Sequence, residues 1–136
     1  MQTRDQKYAT AIFKQVELIE QQTKEKTPEN KAYRNAYGSM AHKLPVLIRS
    51  AGLTQALEFV AARGKPPHQD LLKNLSQVVL GNDASLRDRA RGATQLSDYM
   101  RLTHEAMAAL LWYKRFAQSV LDIDPSQANQ IGEDEI

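Results

Sequence analysis

Apolar residues recur at steps of three and four along most of the chain, which is the spacing of helices with one buried face. The first such run covers about residues 3–23 and places Tyr8, Ile12, Val16 and Ile19 on one side. No run alternates apolar and polar residues between turn signals, as a half-buried strand would. The pattern therefore predicts an all-α fold.

A second helix is predicted to begin at residues 27–29, Thr-Pro-Glu, which read as an N-cap, a helix-starting proline and a first-turn acid. Pro45 is expected to break or kink this helix, because proline lacks the amide N–H and its ring crowds the preceding turn. A short helix then continues and stops before Gly52. This region therefore contributes either one kinked helix or two.

Four more runs predict helices over about residues 53–63, 71–79, 84–91 and 97–121. Each run is followed by a residue that ends helices, namely Gly64, Gly81, Gly92 and Pro125. These residues fall in connections of a few residues, so no linker divides the chain. We predict a compact, single-domain bundle of six or seven helices over residues 1–121, followed by an acidic tail over residues 122–136.

The composition excludes several classes of protein. The chain has no cysteine, so disulfide bridges and thiolate metal sites are excluded. Its amino terminus is polar, so no signal peptide is expected. No apolar run approaches the ~20 residues that a membrane span needs. These features favour a soluble, cytoplasmic domain that does not engage a membrane.

The formal net charge of +2 conceals an asymmetry. Residues 122–136 contain five of the 16 acidic residues and no lysine or arginine. Residues 1–121 therefore carry all 18 basic side chains against 11 acidic ones. A basic body favours an anionic partner such as nucleic acid, although many small domains are modestly basic without one. Charge alone leaves both interpretations open.

Motifs for catalysis and metal binding are incomplete or missing. His104-Glu105 begins like the zinc-protease motif H-E-x-x-H, but Ala108 stands where the second histidine is needed. The other histidines, His42 and His68, also have no histidine three or four residues away. No nucleophile elbow and no glycine-rich phosphate loop occurs. We therefore expect no metal, no cofactor and no enzymatic activity.

Basic residues are the remaining candidates for function. Arg87 and Arg91 share one face of a helix, whereas Arg89 points elsewhere. At 100° per residue, Arg101 and Arg115 lie roughly 40° apart on the closing helix. The full candidate set is Lys43, Arg49, Arg87, Arg91, Arg101, Lys114 and Arg115. These residues are either solvated charges that cover apolar surface or a surface that follows a nucleic-acid backbone.

Two aromatic residues lie among the cations of the closing helix. Trp112 and Phe116 are one turn apart. Rings at this spacing in an otherwise apolar helix belong more often to the core than to a surface that stacks bases. We therefore expect both rings to be substantially buried.

The closing helix resembles a known family. Residues 99–106, YMRLTHEA, and 111–117, LWYKRFA, resemble the C-terminal signature of the small subunit of the type III-B CRISPR RNA-guided effector, the Cmr complex. Tyr8-Ala9, Leu44-Pro45 and residues 52–59, GLTQALEF, agree with this family in order and spacing. The resemblance covers about residues 8–118. It does not extend to the acidic tail, which receives no role from it.

The resemblance implies an all-helical, non-catalytic subunit that takes part in antiviral defence. Members of this family stack in more than one copy beside the backbone subunits that carry the guide RNA, and they help to form the groove for target RNA. RNA cleavage belongs to the backbone subunit, and DNA cleavage and cyclic-nucleotide synthesis belong to the large subunit. The implied partners are guide and target RNA, these other Cmr subunits and further copies of the chain itself.

Two alternatives remain at this point. The first is an adaptor between proteins that makes no direct contact with nucleic acid and uses its charges on acidic faces of neighbouring subunits. The second is a nuclease, which would show metal-dependent activity in the isolated chain. A phosphate-binding subunit differs from the adaptor because its affinity falls steeply with salt.

Overall fold

The structure is a computed structural model that describes residues 2–126. Six complete helices lie within these residues and no strand occurs among them. The helices are α1 (Arg4–Gln22), α2 (Pro28–Ala51), α3 (Leu53–Arg63), α4 (Pro66–Leu80), α5 (Leu86–Gly92) and α6 (Leu96–Ser119). The prediction of an all-α, single-domain fold is confirmed. No described helix is both long and apolar enough to cross a membrane.

The second helix begins after its predicted N-cap, Thr27, and the structure shows that Thr3 caps the first helix. The Thr3 hydroxyl accepts a hydrogen bond from the backbone N–H of Gln6 at 3.1 Å, and the Gln6 side chain accepts one from the N–H of Thr3 at 2.8 Å. At the start of α2, the Thr27 hydroxyl accepts from the N–H of Asn30 at 3.1 Å. These bonds satisfy amide groups that have no partner inside the helix.

Pro45 does not end α2. The helix continues through it to Ala51, so the two predicted segments are one element and the bundle has six complete helices in the described residues. The proline ring is buried and its neighbour Leu44 is fully enclosed in the core. An interior proline costs a helix about 3 kcal/mol. Here the packing of the flanking turns outweighs that cost.

The two central helices, α2 and α6, are antiparallel. Near the end of α2, the hydroxyl of Tyr99 accepts from the N–H of Thr54 at 3.0 Å and lies 3.4 Å from where a Cβ on Gly52 would stand. Beyond the carboxyl end of α6, Ile123 packs against Gly38 in the middle of α2. The core between the helices holds large, fully buried side chains, among them Ile12, Tyr37, Leu44, Leu57, Leu75, Leu110 and Tyr113.

The core extends beyond the boundary predicted at residue 121. Ile123 is only 3% exposed, and its side chain lies 2.8 Å from the position that a Cβ on Gly38 would occupy. Nε2 of the buried His42 donates to the carbonyl oxygen of Ile123 at 2.7 Å. The first residues of the predicted acidic tail are therefore part of the packed domain. Residues 127–136 of that tail lie outside the described residues.

Candidate nucleic-acid interface

Arg87 and Arg91 of α5 converge on a single carboxylate of α3. Nε of Arg87 lies 2.9 Å from Oε1 of Glu58, and Nη1 of Arg91 lies 3.2 Å from the same oxygen. Arg91 also contacts Asp88 at 2.6 Å. The hydrogen bond from Arg87 holds the pKa of the Glu58 carboxyl below its usual value. These two arginines share a side of the helix, as predicted, and their charges are largely compensated inside the chain.

Arg101 lies beside a cleft between α5 and α6. It faces Asp98 at 3.9 Å and Glu105 at 3.8 Å, and both of these contacts are wide enough for a ligand to compete with them. Arg89, which the helical spacing separated from Arg87, lines the same cleft of about 540 Å³. The structure therefore brings together two cations that lie twelve positions apart in the sequence.

Lys114 and Arg115 have no carboxylate partner among the described residues. The Arg115 guanidinium lies over the indole ring of Trp112, with Cζ 5.0 Å from the ring centroid. This cation–π contact orients the charge without neutralising it. Arg101 and Arg115 are separated by about 21 Å along α6, at 1.5 Å of rise per residue. They can therefore meet different phosphates of one strand but not the same phosphate.

The two candidates on α2 lie in different environments. Nζ of Lys43 lies 5.3 Å from the ring centroid of Phe59, and Cζ of Arg63 lies 4.6 Å from the same centroid. Lys43 thus makes a cation–π contact with Phe59 of α3. Arg49 is exposed in the last turn of α2, where a cation is favoured by the helix dipole, and no described carboxylate pairs with it.

A second group of cations, at the corner between α1 and α2, was not among the predicted site residues. Arg34 is fixed there by hydrogen bonds to the Thr23 hydroxyl and the Glu20 carbonyl, each at 3.3 Å. A cleft of about 470 Å³ at this corner is lined by Lys24, Lys26 and Lys31 as well. The signal was present in the run KEKTPENKAYR over residues 24–34, but its mixed charges are also typical of a solvated helix surface.

The aromatic residues of α6 lie at the edge of the core. Trp112 and Phe116 are half-buried and stacked, with ring centroids 5.8 Å apart. Phe116 also meets Phe13 of α1 edge-to-face at 5.4 Å. Phe13 is 40% exposed, and nothing in the local sequence singles it out. The rings therefore fix α6 against α1, but they are less enclosed than expected.

The histidines do not form a metal site within the described residues. His42 is engaged by the Ile123 carbonyl, His68 is buried in α4 and His104 is exposed on α6. No group of three or more His, Asp or Glu side chains in residues 2–126 is placed to hold a metal ion.

Comparison with known proteins decides the family. Residues 4–120 match the family described as CRISPR-associated protein (Cas_Cmr5). The chain belongs to the Cmr5 family. It is 50% identical over 91 residues to "CRISPR system Cmr subunit Cmr5" of Thermus thermophilus, a match that covers 65% of this chain and 78% of that protein. The resemblance seen in residues 8–118 is thereby confirmed.

A solved structure agrees with this assignment. The crystal structure of a CRISPR-associated Cmr5 family protein from Thermus thermophilus superposes with a TM-score of 0.72 at 43% identity. The match covers 88% of this chain and 98% of that one, so nearly the whole Cmr5 fold is present. Membership of the Cmr5 family indicates that this chain is a subunit of a CRISPR Cmr complex.

Proposed function

We propose that this Cmr5-family chain is a non-catalytic small subunit of a type III-B CRISPR RNA-guided effector that holds target RNA against the guide. The contacts are made to the RNA backbone and are independent of sequence, because base pairing with the guide already reads the sequence. Further copies of the chain, the backbone subunit and the large subunit complete the proposed assembly. The complex acts in the cytoplasm in antiviral defence.

The observation that carries this proposal is the division of the predicted cations into two groups. Arg87 and Arg91 are bound to Glu58, whereas Arg49, Lys114 and Arg115 face no described carboxylate. Uncompensated cations attract phosphates, and the helix backbones that carry these cations are already ordered before RNA binds. The second group is therefore the better candidate for contact with RNA.

The test is the salt dependence of RNA retention by the assembled complex. The triple variant Arg49→Ala, Lys114→Ala and Arg115→Ala should weaken retention of single-stranded target. It should also flatten the plot of log affinity against log salt by up to about 2, at ~0.7 for each lost phosphate contact. The double variant Arg87→Ala and Arg91→Ala is the matched control and should change the slope less.

One feature of α6 favours the adaptor as a second candidate. Leu96, Met100 and Leu111 are 73%, 48% and 44% exposed, and they lie within about 60° of one another at 100° per residue. Such an apolar stripe fits contact with a neighbouring protein. If the adaptor function is the whole function, the triple variant will leave both RNA retention and its salt slope unchanged.

A further inference from the structure

Four planar side chains form a continuous row across the junction of α6 and α1. The row begins at the Arg115 guanidinium, which lies 5.0 Å from the Trp112 ring centroid. Trp112 stacks on Phe116 with an interplanar angle of 28°, and Phe116 meets Phe13 at 69°. Trp112 and Phe116 of α6 therefore connect the Arg115 guanidinium to the Phe13 ring on α1.

The two ends of the row are exposed and its middle is half-buried. Arg115 is exposed. Phe13, half-way along α1, keeps 40% of its surface in contact with solvent. Trp112 and Phe116 are partly covered and pack against the hydrophobic core. The row is thus anchored from beneath and offers flat groups at both ends.

The charges around the row favour an anionic ligand. Lys14 follows Phe13 in the chain, Lys114 precedes Arg115, and all three cations lack a carboxylate partner among the described residues. Glu17, one turn beyond Phe13, is the nearest acid along α1. Glu17 is also three residues from Lys14 and lies on the same side of α1, so a bound phosphate is expected nearer Lys114 and Arg115 than Lys14.

We infer that this row stacks an unpaired nucleobase of the RNA strand. Bases stack on aromatic rings and on guanidinium planes irrespective of their identity, so the contact requires no sequence-specific hydrogen bonds. Either exposed end of the row, Phe13 or Arg115, can provide the stacking surface, and Lys114 is the main cation for the adjoining phosphate. The inference rests on the proposed RNA-holding function and adds to it a base contact, which backbone contacts alone do not require.

A purely apolar protein contact explains the row less well. Aromatic and arginine side chains are enriched at protein interfaces too, so the rings alone do not decide between RNA and a protein. Leu18, which is 54% exposed on the same helix as Phe13, provides an aliphatic comparison. The cations without acidic partners beside the row favour RNA, because a phosphate backbone supplies the negative charge that they lack. Docking of a protein on this row is nevertheless an outcome that the experiment can return.

Photocrosslinking in the assembled Cmr complex tests the contact directly. The target RNA would carry 5-iodouridine at one position at a time, and crosslinked peptides would be mapped. We expect crosslinks from at least one position to Phe13, Trp112 or Phe116. Crosslinks confined to other parts of this chain would overturn the stacking and leave the RNA-holding function in place. No crosslink to this chain from any position would also overturn the stacking.

A binding assay on the full chain separates stacking from phosphate contact. Trp112 is the chain's one tryptophan, so its fluorescence reports on the row without labels. Oligouridine should quench it, whereas an abasic oligonucleotide of the same length should bind without quenching. If both ligands bind and change the Trp112 fluorescence equally, the base stacking is overturned and the RNA-holding function is not. Failure of both to bind, in the chain and in the complex, would overturn RNA holding as well.

Variants of α1 provide the matched comparison. Phe13→Ala should weaken oligouridine binding about tenfold, which is within the range for loss of one base–aromatic stack. Phe13→Tyr should retain binding, and Leu18→Ala should leave it unchanged because it removes exposed apolar area without a ring. If Leu18→Ala weakens binding as much as Phe13→Ala, or if Phe13→Ala detaches a protein subunit and spares RNA, the inference is wrong.

Discussion

Ile123 packs against Gly38 so closely that a Cβ at residue 38 would stand 2.8 Å from the isoleucine side chain. The contact joins the middle of α2 to the segment that follows α6. It explains why a glycine is present inside a long helix, where alanine would otherwise be favoured by about 0.5–1 kcal/mol. The packing of Ile123 against Gly38 therefore contributes more stability than alanine would contribute at residue 38.

Gly38→Ala is therefore expected to destabilise the domain by about 1–3 kcal/mol, because the contacting atoms of Ile123 lie near its backbone and cannot swing away. Urea unfolding followed by circular dichroism would measure the change. Gly92→Ala is the control, since nothing lies within 4 Å of a Cβ at that residue. A Gly38→Ala variant as stable as the Gly92→Ala variant would show that the two segments separate at little cost.

The helices were predictable because local signals agree with the final packing. Thr3 and Thr27 cap α1 and α2, and the apolar positions Tyr8, Ile12 and Val16 are all buried. The continuation of α2 through Pro45 was not predictable, because the local penalty of proline is visible in the sequence and the packing that offsets it is not. The core position of Ile123 was missed for a similar reason, since its partner Gly38 is far away in the chain.

The cations of the candidate site could be predicted from the sequence, but which of them are paired with a carboxylate could not. Sequence spacing places Arg87 and Arg91 on one face, yet the carboxylate that compensates them, Glu58, comes from another helix. Phe13 could not be recognised because its role depends on contact with Phe116, 103 positions later in the chain. Long-range pairing thus decides which cations and which rings remain available to a ligand.

Buried tyrosines should make the domain sensitive to alkali. Burial raises the pKa of Tyr37 and of Tyr113 well above the usual value of 10.0. The folded state therefore keeps these protons at a pH where the unfolded state releases them, so stability is full below about pH 10 and declines above it. Urea unfolding between pH 8 and 11 would measure the decline.

Tyr113→Phe should reduce the slope of that decline, because it removes a buried phenol whose pKa is raised well above 10.0. A stability that stays constant from pH 9 to 11 in the unaltered chain would show that these hydroxyls ionise without unfolding. An equal slope in the Tyr113→Phe variant would assign the decline to other groups.

Removal of three cations from α6 should leave the domain folded. Arg101 and Arg115 are exposed and Lys114 is only half-buried, so the triple change Arg101→Ala, Lys114→Ala and Arg115→Ala should cost little stability, at under about 0.5 kcal/mol for each exposed charge. Thermal unfolding would measure it, and RNA retention by the complex should fall. A triple variant that unfolds would show these side chains to be structural. A folded variant with normal RNA retention would show that the RNA contact does not depend on these three cations.

The acidic tail is expected to screen the basic body of the domain until RNA displaces it. Five of its side chains are acidic, and each pair formed with a surface cation is worth only ~0–1 kcal/mol, so the screen should be weak and sensitive to salt. Deletion of residues 124–136 should therefore strengthen RNA binding at low salt, and the gain should shrink as salt rises. The truncation must end after Ile123, because removing that buried residue would also remove its contact with Gly38 and the hydrogen bond from His42. A truncation after Leu121 is thus the structural control, and we expect it to lose about 2 kcal/mol or more of stability. Equal RNA affinity with and without residues 124–136 at low salt would exclude the screen.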